Sequence, residues 1–577
     1  MKRIFFFVAL FSLQLVNGQQ APEPSHPLLK QALNKIAAFN NEERRIDSMS
    51  NYPLGLHGET EAKRRFDFFL ALDQEIRAIK KSELTFEDEI NAELLLYSFE
   101  DDISDYRFKS YLNPILSEGG FHTNITGMSG TILKNQKDVD AYLARLNDIP
   151  RYMEEHFGLM REGLKIGIAQ PYDVVKSFNN TYEIHIVDAS QKSVFWKPFS
   201  KKPAAISDAE WQSILIKAND AVMNKAVAGY KSVKLFFEKE YLPKAPTKPG
   251  VLYFPAGLTF YQDRVSHFTT TDLGYDSVFN IGLQEVARIK AAMYKVKDDV
   301  GFKGDMKSFI EMLRTDPKFY PKTGEDLLKE ASFIAKKIDG KLPMLFGRLP
   351  RQPYGVEPVP ESIAPTYTAG RYSPAPIRST RSGNYWVNLY NLPSRTLYTL
   401  EALTLHEAVP GHHLQMSLTQ ELENLPTFRR NLYVNAFGEG WGLYAESLGY
   451  EIGLYKDPYS RFGQLTYDMW RACRLVIDVG VHAKGWSRQQ AVDYLAENTA
   501  LSMHEVNTEI NRYIAWPGQA LAYKMGELKI KELRKRAELA LGEKFDVRKF
   551  HDTLLSEGTL TLRLMDKLID KYIAANK

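Results

Sequence analysis

Cysteine is nearly absent: Cys473 is the single example in 577 residues. That excludes an intramolecular disulfide and any thiolate metal cluster. Within Trp470-Arg471-Ala472-Cys473-Arg474-Leu475 the thiol reads as a small buried residue, because no paired Cys-His arrangement is visible to make it a nucleophile. An excess of either charge is also missing, with 74 basic against 71 acidic residues. There is no basic stripe for nucleic acid and no acidic tail. Long apolar runs are missing too: beyond the first residues none reaches 18, so no stable membrane insertion is expected. Internal repeats and low-complexity tracts do not occur. What is present is ample core material, 44% hydrophobic and 12% aromatic.

The opening residues read as a secretory signal, residues 1–18. Lys2 and Arg3 precede an apolar run from Ile4 to Val16, too short to span a bilayer comfortably. Val16-Asn17-Gly18 offers a cleavage site, leaving Gln19 first and lowering the formal net charge from +3 to +1 by removal of Lys2 and Arg3. No cysteine lies there to carry a lipid. A periplasmic or secreted location is expected.

Histidine is scarce, yet three of the twelve fall within His406-Glu407-Ala408-Val409-Pro410-Gly411-His412-His413. A His-Glu pair on a helix with a second histidine one turn on is the zinc metallopeptidase arrangement. It puts two neutral imidazoles on one Zn2+ and a carboxylate beside the attacking water. Here the position one turn on is Pro410. Residues 395–409 have helical apolar spacing at Leu397, Leu400, Leu403 and Ala408, with Ser394 as a candidate N-cap. Pro410 clashes with the carbonyl of His406, so a break is expected, with Gly411 supplying freedom. On an unbroken helix His406 and His412 would lie about 120° off a common face. With the break, His412 is preferred over His413, which would sit two turns away.

A second segment, Gly438-Glu439-Gly440-Trp441-Gly442-Leu443-Tyr444-Ala445-Glu446, carries two glutamates on one helical face. One is expected to bind metal, Glu439 in the first instance, and the other to orient a ligand. Together these motifs resemble the gluzincin metallopeptidases. The form His-Glu-x-x-Pro-Gly-His followed by Glu-Gly-Trp-x-Leu-Tyr-x-Glu is similar to a large bacterial family known as domain of unknown function 885. Arg474 to His482 and Arg512 to Ala520 extend the resemblance, which covers most of the chain. It implies a zincin-like peptidase with His406, His412 and Glu439 on zinc and Glu407 as general base.

Peptide hydrolysis also needs a donor for the developing oxyanion. His482, four residues after Asp478, is one candidate; Tyr513, before Trp516-Pro517-Gly518, is another. Arg512 and Lys524 are candidates for gripping a substrate's terminal carboxylate. The run 384–390, Asn384-Tyr385-Trp386-Val387-Asn388-Leu389-Tyr390, alternates like a strand. As an edge strand it would pair with extended substrate and bring Asn388 to it.

The expected architecture is mainly α (α+β): a large helical zincin-like body with a small sheet beside the active-site helix. Helices are expected over 59–112, 137–165, 207–240, 275–297 and 324–338, a short strand at 182–187, and a Pro-rich loop over 349–376. The Pro/Gly segment Lys244–Gly250 suggests a helical region 19–245 and a catalytic region 246–577. The function implied is zinc-dependent hydrolysis of short peptides. A zinc amidase acting on wall-derived or non-ribosomal peptides, or a non-catalytic zinc- or peptide-binding protein, are the alternatives. Glu407 argues against the last, since a binding protein has no use for a base.

Overall fold

The computed structural model describes residues 22–49, 52–361, 363–376 and 379–577. The expected signal segment, residues 1–18, lies outside the described residues. The chain is mainly helical and divides into two compact units. One comprises Ser25–Asp88 and Ser98–Phe260; the other comprises Glu89–Tyr97 and Tyr261–Lys577, with residues 22–24. The Pro/Gly segment at 244–250 therefore lies inside the first unit, just ahead of the division. No helix among the described residues is long and apolar enough to cross a membrane.

In the first unit, helices run over Glu59–Arg77, Gln136–Ile166 and Asp208–Ala221, the last continuing through wider turns to Tyr241. Asn135 and Ser207 cap two of these through their side chains. Buried tyrosines tie irregular segments to the helices: Tyr142 donates to the carbonyl of Phe195 and Tyr230 to that of His122. Residues 182–187 are not a strand. Glu183–His185 form a single 3-10 turn. Glu183 is paired to Lys234 there, and the His185 ring packs 4.5 Å from Tyr230.

The second unit holds the motif residues. Its helices used below are α1 (Tyr275–Asp299), α2 (Leu400–Glu407), α3 (His412–Gln420), α4 (Asn435–Leu448), α5 (Pro458–Ala483), α6 (Met503–Ala515) and α7 (Ala522–Leu541). Small residues let these helices approach closely. A Cβ on Gly282 of α1 would lie 2.7 Å from Leu475 of α5. Where α4 crosses α7, Gly440 faces Gly526, and a Cβ on Gly526 would lie 1.9 Å from the carbonyl of Ala436.

The sheet has three strands, β1 (Tyr354–Pro358), β2 (Gly370–Ser373) and β3 (Gly383–Val387), in the order β1-β3-β2. β3 is parallel to β1 and antiparallel to β2, with Tyr372 opposite Tyr385. The expected edge strand is thus the central one, its two sides already paired. Two edges come from the Pro-rich stretch, where Pro and Gly hid strands only four and five residues long. The start of α2 also differs from expectation. Residues 392–394 and 397–399 form separate 3-10 turns, and the Ser394 hydroxyl donates back to the Asn391 carbonyl instead of capping the helix.

Candidate functional site

α2 ends at Glu407, so its last turn presents His406 and Glu407. The backbone then turns through Ala408–Gly411, with the Val409–Pro410 bond cis, and α3 starts at His412. Gly411 is required: a Cβ there would sit 1.9 Å from the carbonyl oxygen of His406. Trp441 Nε1 of α4 donates to the Pro410 carbonyl at 2.8 Å, fastening the turn to the helix that carries the glutamates.

The break brings the two imidazoles together. Their centroids are 4.8 Å apart and their planes nearly perpendicular, at 87°. Glu439 Oε2 lies 3.8 Å from His406 Nε2 and 3.4 Å from His412 Nε2. One donor atom from each of the three residues falls within 4.8 Å of the others. On its far side, His406 Nδ1 is hydrogen-bonded to Glu446 Oε1 at 2.8 Å. Glu446 is fully buried, and Arg471 Nη2 approaches the same oxygen at 3.4 Å. The two glutamates of α4, seven residues apart, thus take different nitrogens of one ring. His413 turns away, with Nδ1 2.9 Å from the Tyr372 hydroxyl and its ring against Tyr354.

This donor set fits a zinc ion. Tetrahedral zinc with bonds near 2.0–2.1 Å separates its ligands by about 3.3 Å, against the 3.4 and 3.8 Å found here. Two imidazoles and one carboxylate are a usual three-residue set with a fourth position open. The Glu446 contact on Nδ1 leaves Nε2 as the nitrogen of His406 that would face an ion. His412 Nδ1 is buried with no partner. Burial pulls the His406 imidazole down, but Glu439 and Glu446 outweigh it and raise it to about 10. Burial pushes the Glu439 carboxyl up, yet His406 and His412 hold it well below the usual range.

α4 reaches this position because Gly442 has no side chain. A Cβ there would lie 2.8 Å from Cε1 and 2.9 Å from Nε2 of His406. Gly442→Ala is therefore expected to displace the ring, lose about 1–3 kcal/mol of stability and weaken zinc binding. Thermal unfolding and a zinc titration measure both; wild-type values for each would show that the ring can move aside freely.

Glu407 is 8% exposed and accepts the backbone N–H of Tyr372 at 2.7 Å. That N–H is available because hydrogen-bonded and outward-facing residues alternate along an antiparallel strand. Asn388 N–H bonds the Ala369 carbonyl, so the Tyr372 amide points outward. Glu407 thus leans on the edge of β2. Two tyrosines complete the surroundings. Tyr433 occupies the space a Cβ on Gly438 would fill, its hydroxyl 2.3 Å from that position. Burial first, then Glu439, raises its phenol well above 10, and Glu407 also contributes. The Tyr523 ring lies 6.4 Å from that of His406, inclined by 20°.

The remaining candidates have partners of their own. His482 is fully buried, bonded through Nε2 to the Tyr513 carbonyl and packed on Tyr261; burial lowers it to about 4. The Tyr513 hydroxyl accepts from Trp470 and Arg474 at 2.7 and 2.9 Å. Lys524 is fully buried among Asp468, Glu527 and Glu285. Asn388, also fully buried, donates to the carbonyls of Ala364, Tyr367 and Thr368 and accepts from Tyr390 N. Arg512 is on the site's side, donating to the Tyr523 hydroxyl at 3.1 Å. The structure therefore gathers His406, His412, Glu439 and Glu407, places Arg512 nearby, and turns His482, Tyr513, Lys524 and Asn388 to internal partners. Tyr433 and Tyr523 carry no sequence signal of their own, since neither stands in a motif.

The profile of the family described as bacterial protein of unknown function (DUF885) matches residues 51–569, and the chain belongs to that family. No curated protein matches it. Among solved structures, a candidate lipoprotein from Colwellia psychrerythraea is 26% identical with a TM-score of 0.85, covering 95% of this chain and 98% of its own. A candidate lipoprotein of unknown function from Shewanella oneidensis shares the fold at 18% identity and a TM-score of 0.71, covering 94% of this chain and 100% of its own.

Proposed function

We propose that this member of the DUF885 family is a zinc-dependent peptidase acting on short peptides outside the cytoplasm. The observation that carries the reading is the meeting of His406, His412 and Glu439 at one point, with Glu407 next in the chain to a ligand and aimed by a backbone N–H. His406, His412 and Glu439 would hold a zinc ion, which when bound would supply Lewis acidity to the reaction. Glu407 takes the proton of the attacking water and returns it to the departing amine. The Tyr372 N–H keeps the Glu407 carboxylate in one orientation. Tyr433, beside both Glu439 and Glu407, donates its hydroxyl to the oxygen that gains charge. Glu446 and Arg471 hold the His406 ring so that none of this needs rearrangement. The leading segment of the sequence and the lipoprotein description of the Colwellia protein support an extracytoplasmic location.

A mixture of short peptides digested by the purified protein, with products mapped by mass spectrometry, tests the reading. New termini should accumulate with time; an unchanged mixture would count against it. Tyr433→Phe removes one hydroxyl and keeps the ring that fills the Gly438 notch. It is expected to lower kcat by about 10² with zinc content unchanged. Turnover within twofold of wild type would move the donor role to another group, with Tyr523 next in line.

A further inference from the structure

The candidate metal centre uses one histidine of the adjacent pair His412-His413; the other points at the sheet. His413 of α3 is buried, with Nδ1 2.9 Å from the Tyr372 hydroxyl and 3.2 Å from Ser417 Oγ. Ser417 also bonds the Tyr372 hydroxyl, and the imidazole bonds the Gln352 backbone. Three buried polar side chains thus satisfy one another away from water. The His413 ring centroid lies 5.3 Å from that of Tyr372 on β2 and 4.7 Å from that of Tyr354 on β1. Gly383 of β3, opposite Tyr354, makes room for this, because a side chain there would run into the Tyr372 hydroxyl.

Tyr372 therefore does two things at once. Its side chain is fastened to α3, and its backbone N–H holds Glu407 at 2.7 Å. β2 is four residues long and is paired on one side only, to β3. A short strand with one paired side has few bonds to keep it in place. Its outer amide is a firm support for Glu407 only if the strand is also held from the helix side. That matters for the chemistry, since a general base must stay within hydrogen-bond reach of its proton, and a displacement of about 1 Å can cost about 10²-fold in rate. Consecutive residues of one turn thus serve both halves of the site: His412 faces the metal position, and His413 fixes the strand that aims the base.

We propose that His413 is a positioning residue for Glu407, acting through the side chain of Tyr372. This rests on the peptidase reading above. Three variants test it. Tyr372→Phe keeps the backbone N–H and removes the hydroxyl. His413→Leu removes the ring nitrogens. His413→Asn restores a carboxamide near the Nδ1 position, able to donate or accept. Each is measured for zinc content, for kcat and KM on a short peptide mixture, and for hydrogen exchange of the residue 372 amide, resolved from the amides of β3 by mass spectrometry with fragmentation.

Tyr372→Phe and His413→Leu should lower kcat about tenfold or more, with KM within twofold and zinc retained. The residue 372 amide should exchange at least tenfold faster while the amides of β3 keep their rates. His413→Asn should recover most of both losses. If His413→Leu loses zinc or fold, Tyr372→Phe decides alone. Where the wild type cleaves peptides, a change in kcat without one in exchange, or the reverse, overturns the proposal and leaves the peptidase reading intact. Wild-type values for both do the same, and so does equal acceleration across β3, which would make the network a general support of the sheet. Selectively faster exchange at residue 372 with no cleavage by any form supports the tether and sinks the peptidase reading. Neither cleavage nor a change in exchange overturns both.

Discussion

Glu407→Gln is expected to retain one zinc ion per chain and to lose about 10²–10⁴ in kcat. The substitution keeps shape and length. Its amide oxygen can still accept the Tyr372 N–H, which holds the native carboxylate at 2.7 Å. What disappears is a group able to take a proton from water. The three metal-facing residues are untouched, so zinc content serves as the control for folding and for the site. Near-normal turnover with full zinc would remove Glu407 from the role of base.

His412→Ala is expected to abolish zinc retention, and with it activity. It is the cleanest ligand deletion, because His412 Nδ1 makes no hydrogen bond that the change would break. His406→Ala should also empty the site, but it strips fully buried Glu446 of its imidazole partner and leaves only Arg471 at 3.4 Å. Breaking a buried charged pair destabilises by about 3–5 kcal/mol, so loss of metal and loss of fold would be mixed. The glutamates separate the same way. Glu439→Ala should release metal, whereas Glu446→Ala should weaken it by about 10–100-fold. Metal analysis after dialysis reads all four. Full occupancy in His412→Ala, or the opposite ranking of the glutamates, would contradict the assignment of ligands.

The legible part of this molecule is where chemistry and backbone obey the same local rule. Pro410 forbids helix continuation and Gly411 admits the His406 carbonyl, so the break between α2 and α3 follows from residue types alone. The seven-residue spacing of Glu439 and Glu446 places both on one face of α4, which is how they come to flank His406. Some long helices, Gln136–Ile166 and α5 among them, carry side-chain N-caps at Asn135 and Asp457, whereas Glu59–Arg77 and α1 begin at glycines without one. The central strand β3 was readable by alternation, but its edge status was not. That depended on β1 and β2, short strands in a Pro-rich stretch with no period to detect.

Lys524 shows a different limit. It stands near Tyr513 in sequence, yet α7 points it into Asp468 and Glu527. Glu527, three residues on, was the available sign of an internal pair. Tyr433 could not be found at all. Its place depends on a missing Cβ at Gly438, a tertiary fit without a sequence period.

The central claim is that a zinc ion at His406, His412 and Glu439 drives peptide cleavage. It is tested most directly by following cleavage of a short peptide mixture by one preparation through chelation and readdition. Activity should fall to background when zinc is removed. It should return with zinc in proportion to occupancy, saturating at one ion per chain. Cleavage that persists after complete removal of the metal, or restored zinc without restored cleavage, would contradict the account.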